Sequence, residues 1–169
     1  MNWENIKLLK NAWKEHLLKV KWQLFITLRF QGDMLSFESA ESKCKELCRD
    51  IGKGFGIRVS SIGVVVNENN FTHCHLLLYG MNKNGKTLLD CEYKNIKQYW
   101  KYDIKIDKNG NTLLDCEYNN IKQYWKYDIK IDEIYNMEGV LGYIVDHNMI
   151  EGRYDVFHYG TQHIQGFFE

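Results

Sequence analysis

IRVSSIGVVVN at 57–67, ENN at 68–70 and FTHCHLLLY at 71–79 make two β-rich runs about a short polar break. The runs are dominated by Val, Ile, Leu and Phe, and Glu68-Asn69-Asn70 supplies the turn, so the stretch is expected to form a hairpin. Side chains two apart on a strand face the same way, so His73 and His75 project from one face of the sheet. Two neutral imidazoles at that spacing can share one divalent ion. A pair of solvent-facing surface histidines would look the same in the sequence.

Working outward, WQLFITLRF at 22–30 reads as a buried strand. Before it, Trp3, Ile6, Leu9, Trp13, Leu17 and Val20 recur at three- and four-residue steps, the spacing of an amphipathic helix over 3–20. Its other face carries Lys7, Lys10, Lys14 and Lys19, which could track phosphate or simply be solvated. After the strand, Gln31-Gly32-Asp33 make a turn. Ser36 or Ser39 can cap a second helix running to about Gly52, with Gly52, Gly54 and Gly56 ending it.

Beyond the hairpin the chain repeats itself. KNGKTLLDCEYKNIKQYWKYDIKID at 83–107 is followed by KNGNTLLDCEYNNIKQYWKYDIKID at 108–132, with differences only at Lys86/Asn111 and Lys94/Asn119. Two copies are too few for a solenoid. Each reads as a turn, a short helix with Leu88, Ile96 and Trp100 inward in the first copy, and an alternating strand such as Tyr102 to Asp107. Residues 138–149 suit a further helix. There Tyr143 and His147 stand at i and i+4, one above the other, with Asp146 beside them. A half-buried tyrosine on a helix with a polar edge is the plainer account of those three. The tail from 152, with Tyr154, Phe157, Tyr159, Phe167 and Phe168, is too aromatic for a free linker.

The chain has 169 residues, 44% of them hydrophobic and 26% charged, which fits one α+β domain with a sizeable core. Lys plus Arg and Asp plus Glu are both 22, so the formal net charge is zero, which excludes a uniformly basic DNA-coating protein. Cys44, Cys48, Cys74, Cys91 and Cys116 are odd in number and include no C-x-x-C pair, so they are read as reduced thiols and the location as cytoplasmic. No apolar run approaches the roughly 18–20 residues of a membrane span. The N-terminal stretch is charged throughout, unlike a signal peptide.

Taken together, FITLRF at 25–30, THCHLLLYG at 72–80 and GYIVDHN at 142–148 resemble the HUH endonucleases, most closely the small rolling-circle replication initiators (Rep proteins) of plasmids and viruses. The first segment looks like the first-strand motif, the second like the His-hydrophobic-His motif, and the third like the tyrosine motif. The likeness runs over about residues 22–155. It implies an antiparallel, ferredoxin-like sheet flanked by helices. It also implies a site-specific single-stranded DNA endonuclease and strand transferase that nicks a replication origin through a 5′-phosphotyrosine. Tyr143 would be the nucleophile, and His73 and His75 would hold Mn²⁺ or Mg²⁺. The third ligand would be His147, at the offset used by the related single-tyrosine transposases, or Glu68. Asp146 would support the site. The implied partners are single-stranded origin DNA and a host helicase and polymerase.

This chain departs from the pattern in two respects, the first being that the acidic ligand many Rep proteins carry on the strand before the two histidines is not obvious, Glu68 being the nearest candidate. The lysine expected three or four residues after the tyrosine is replaced by Asp146 or His147. A single-tyrosine transposase of the same superfamily, or a non-catalytic ferredoxin-like nucleic-acid-binding module, remains open on the same residues.

The repeat poses a problem of space, because one helix–strand unit should link the histidine strand to the tyrosine helix and this chain has two. One copy could be extruded, one could add an edge strand, or a domain-swapped homodimer could pair the halves of two chains. The short segment 133–137 leads to the expectation that the second copy packs near Tyr143 and the first is displaced.

Overall fold

The computed structural model describes residues 2–30, 35–69, 71–91, 93–100, 104–108, 137–149 and 153–164. Helix α1 (Trp3–Leu18) leads into β1 (Leu24–Arg29), α2 (Phe37–Phe55), β2 (Arg58–Glu68) and β3 (Phe71–Met81). A 3-10 turn at Leu88–Asp90, the short α3 (Tyr93–Lys97) and β4 (Ile104–Lys108) follow. Helix α4 (Met137–Gly142) continues directly into a π-helical turn, Tyr143–Asn148, and then comes β5 (Tyr154–Tyr159).

The five strands form one antiparallel sheet in the order β4-β1-β3-β2-β5. Both β1 and β2 pair antiparallel with β3 between them, so they run parallel to each other and α2 is the crossover. That is the split β-α-β arrangement of the expected ferredoxin-like fold, with β5 added at the β2 edge.

Strand alternation sends Leu24, Ile26, Leu28, Cys74, Leu76 and Leu78 toward α2, where Cys44, Leu47, Cys48 and Ile51 receive them. The opposite face carries Phe25, Ile62, Val64, Val66 and Leu77 and is covered by Leu17 and Trp13 of α1 and by Leu141, Ile144 and Val145. Each large aliphatic side chain buried in this way contributes about 1.5–3 kcal/mol. Cys74, between the two histidines, therefore belongs to the α2 face. Burial pushes its thiol up, and pushes Cys48 up to about 12, so both are inert core residues rather than nucleophiles. The four cysteines among the described residues are all buried and free.

Several local expectations need correction. The second helix does not stop at Gly52. It is capped by Ser36, whose side chain accepts from the Ser39 N–H at 3.1 Å, and runs to Phe55, with Gly56 at φ +62° as its left-handed stop. Gly54 sits inside the helix because the Tyr99 hydroxyl occupies the place of a Cβ. Only the C-terminal half of α1 packs. Leu17 is buried, but Trp3 is 75% and Leu9 44% exposed, because the first turns overhang the sheet. The described part of the aromatic tail is, as expected, no free linker: Tyr154–Tyr159 is an edge strand, with Phe157 buried over Gly63. A Cβ at Gly63 would collide with the Phe157 ring and with Leu76. Gly63→Ala is therefore expected to destabilise by about 1–3 kcal/mol in denaturant unfolding.

The expectation about the repeat is overturned in part. The first copy is not displaced: its strand is β4, hydrogen-bonded along β1 with Ile106 opposite Ile26, while the expectation that the second copy packs near Tyr143 falls outside the described residues. Its entry is built locally. Asn82 accepts from the N–H groups of Asn84 and Lys86, both at 2.9 Å, and Gly85 takes φ +79°. Thr87 and Asp90 close a capping box, and Gln23 accepts from the N–H groups of Gly80 and Leu88, tying the unit to the start of β1. Asn82 lies outside the repeated sequence, and the second copy is preceded by Asp107 instead. Residues 109–136, and with them nearly all of the second copy, lie outside the described residues, as do Cys116, Phe167 and Phe168. Among the described residues no helix is long and apolar enough to cross a membrane.

Candidate active site

The hairpin places both histidines on the face covered by α1 and α4. His73 pairs in register with Val66 of β2 and Arg29 of β1, and His75 with Val64 and Thr27. The two rings lie edge to face with centroids 5.0 Å apart. His75 is 3% exposed, stacks on Phe25 at 5.5 Å, and has its Nδ1 in a 3.1 Å hydrogen bond with Thr27 Oγ1. That contact holds the ring's orientation and presents the other nitrogen, Nε2, away from Thr27. His73 is partly exposed at the end of the pair. Burial is the first cause that holds its pKa below the ordinary value, and the nearby Arg29 adds to this, while Glu68 and an Asn148 hydrogen bond oppose them.

The tyrosine arrives from the opposite layer. Tyr143 is the first residue of the π turn, 46% exposed, with its ring edge-on to His75 at 5.4 Å. His75 is thus the centre of a line of rings from His73 to Tyr143. The structure brings these three side chains together.

Of the two candidate third ligands, Glu68 closes β2 rather than lying in the turn. It falls on the same face as Val66, the register partner of His73, and its charge acts on that imidazole. His147 is exposed and lies at a tilt against the Tyr143 ring, 5.8 Å away. Among the described residues, no three His, Cys, Asp or Glu side chains gather at metal-binding range. The donor types nevertheless suit a divalent cation: two adjacent imidazoles, and on the same face a carboxylate, Glu68, whose charge acts on one of them.

Asp146, expected to support the site, is tied to α1. Its carboxylate takes the Lys14 ammonium at 2.6 Å, and Lys10 Nζ donates to its carbonyl at 3.2 Å. These two lysines, read from the sequence as a solvated or phosphate-tracking face, clasp α1 to the tyrosine turn. The pair is partly exposed, so Asp146→Asn is expected to cost about 0.2–1 kcal/mol in thermal unfolding while Tyr143 stays in place.

Sequence reasoning missed two residues. Arg29 is exposed directly opposite His73, and only the strand register reveals it. Asn148 is 4% exposed beneath the tyrosine turn, and its Nδ2 donates to the Tyr143 carbonyl at 2.9 Å. An α-helical reading puts residue i+4 next to the tyrosine. The wider π turn brings i+5 there as well.

The depressed pKa of His73 has a consequence for stability. In the unfolded chain a histidine takes up its proton near pH 6.5, whereas the folded His73 resists it to lower pH. The contribution is fully present above the unfolded value and is lost as pH falls toward the folded one. Melting temperature should therefore drop more steeply between pH 7 and 5 in the wild type than in His73→Gln.

No protein-family model and no curated protein matches this chain. Among solved structures it is similar to the crystal structure of the hypothetical protein ORF119 from Sulfolobus islandicus rod-shaped virus 1. The two share 17% identity and a TM-score of 0.36, over 72% of this chain and 97% of that one.

Proposed function

We propose that this chain is a metal-dependent, site-specific single-stranded DNA nicking and joining enzyme of the HUH type, acting at a replication origin. One observation carries the reading. Two adjacent imidazoles on the inner strand of the sheet and a half-exposed tyrosine from the covering helix converge on one face, with ring centroids 5.0 and 5.4 Å apart.

The roles follow from the positions. Tyr143 is exposed enough for a strand to reach its hydroxyl. The phenolic oxygen attacks the scissile phosphorus, forming the Tyr–O–P bond as the P–O3′ bond breaks. The phenolic proton passes to solvent and the departing 3′ oxygen gains one, leaving a 5′-phosphotyrosine and a free 3′-OH. The phosphodiester energy is kept in the link, so a 3′-OH can reverse the step. His73 and His75, with His147 or Glu68 as a third ligand, would hold the cation. A bound Mn²⁺ or Mg²⁺ supplies Lewis-acid polarisation of the phosphate and neutralises developing charge. Phe25 and Thr27 hold the His75 ring, and Arg29 offers a positive charge opposite His73 for the phosphate that enters there. A neutral protein can bind a single strand through such a local patch. Unwinding and synthesis would fall to a host helicase and polymerase.

The test is a covalent-capture assay. Labelled single-stranded oligonucleotides from the replicon's origin, incubated with the protein and Mn²⁺, should yield an adduct that survives a denaturing gel and disappears on chelation. An unlabelled protein band across all origin oligonucleotides would instead leave a nucleic-acid-binding module without chemistry.

A further inference from the structure

The hairpin leaves one large ring in water beside the histidine pair. Of the exposed large apolar side chains among the described residues, Trp3, Leu8, Leu9 and Leu18 lie on α1 and Tyr143 opens the π turn. The sheet contributes Phe71 and Met81, at opposite ends of β3. Phe71 is 59% exposed and stands two residues before His73. It therefore faces the same side as His73 and His75, about 7 Å further along the strand. Phe71, His73 and His75 form one row, with the Tyr143 ring against the His75 end and Phe71 open to solvent at the other.

The charges around this row are sorted. Arg29 is exposed and directly opposite His73 on β1, and Glu68 is exposed and directly opposite Phe71 on β2. Directly opposed residues share a face of the sheet. A phosphate arriving there is drawn to Arg29, and the Glu68 carboxylate repels it from Phe71. The part of a nucleotide that suits the ground beside Glu68 is the uncharged base. Unpaired bases stack on aromatic side chains, and they do so with little regard to sequence, because every base has a π-face.

We propose that Phe71 is a stacking platform for an unpaired base of single-stranded DNA, held next to the histidine pair while the adjoining phosphate lies at Arg29. That this base neighbours a scissile phosphate rests on the nuclease reading above. The stacking itself needs neither metal nor cleavage.

The experiment uses the full chain in the presence of chelator. A fluorescein-labelled single-stranded oligonucleotide of mixed sequence, followed by anisotropy, should bind more tightly than its duplex. Phe71→Ala should weaken single-strand binding about 5- to 150-fold, and Phe71→Trp should restore it. Single-strand binding unchanged in Phe71→Ala, or absent in the wild type, would overturn the proposal. So would self-association of the wild type that Phe71→Ala reverses while DNA binding is unaffected, since the ring would then join two copies of the chain. Should Phe71→Ala not fold, the wild type alone decides. An oligonucleotide carrying iodouracil should cross-link to Phe71 on irradiation, and cross-links mapped only to other residues would sink the idea. Phe71-dependent binding in a protein that forms no covalent adduct with Mn²⁺ would defeat the nuclease reading and leave the base platform standing. An adduct formed by a protein whose strand binding ignores Phe71 would do the reverse.

Discussion

Tyr143→Phe is expected to abolish covalent capture of a single-stranded origin oligonucleotide, by about 10⁴-fold or more as for loss of other covalent nucleophiles. The fold should not change. The ring is 46% exposed and packs against the rings of His75 and His147, and phenylalanine keeps those contacts. Melting temperature and the far-ultraviolet spectrum should therefore match the wild type, and binding of the uncut strand should persist. An adduct of undiminished yield in this variant would remove Tyr143 from the chemistry. Tyr154 and Tyr159 are then poor substitutes, because both lie in β5, where the ring of Tyr154 packs into the α1-side core and that of Tyr159 against the α2-side core.

The second large effect is expected at His75. Replacement by alanine removes one of the two imidazoles and also the ring that Phe25, His73 and Tyr143 pack against. Loss of the cation's charge stabilisation, several kcal/mol, corresponds to about 10³-fold in the rate of adduct formation. Chelation of the wild type should reproduce that loss, and chelation of His75→Ala should add nothing to it. The cavity left by a buried ring makes this variant less stable as well. His75→Gln, which fills more of the space, separates the two contributions: it should regain stability without regaining Mn²⁺ affinity. A His75→Ala protein that forms the adduct at the wild-type rate in Mn²⁺ would show that the histidine pair serves packing alone.

Much of this arrangement was legible in the chain. Two-residue alternation in 57–79 placed both histidines on one face, and the helical spacing of Tyr143 put it on a helix that could cover them. The hairpin, the three inner strands and the crossover helix follow from the same periodicities, because burial on both sides of a sheet leaves a strong record in residue order. What was not legible depends on departures from regular period. A 3.6-residue reading selects His147 as the neighbour of Tyr143, whereas the π turn adds Asn148 to it. Arg29 is an ordinary exposed strand residue until the register sets it against His73. The choice between two nearly identical copies could not come from their own residues. At the first copy the flanking Asn82 and Gln23 bind its entry, which the copy's own residues do not reveal. The overhang of α1 is likewise invisible to an amphipathic pattern, since Trp3 and Leu9 lie on the same stripe as the buried Leu17.

The place of β4 at the rim of the sheet has an evolutionary consequence. A rim strand has one neighbour, and that of β4 is β1. The central strand with the histidines is separated from it by β1. Extending a connection costs only about 0.6 kcal/mol per doubling of its length, so a unit of this size can be copied there at a penalty of a few kcal/mol at most.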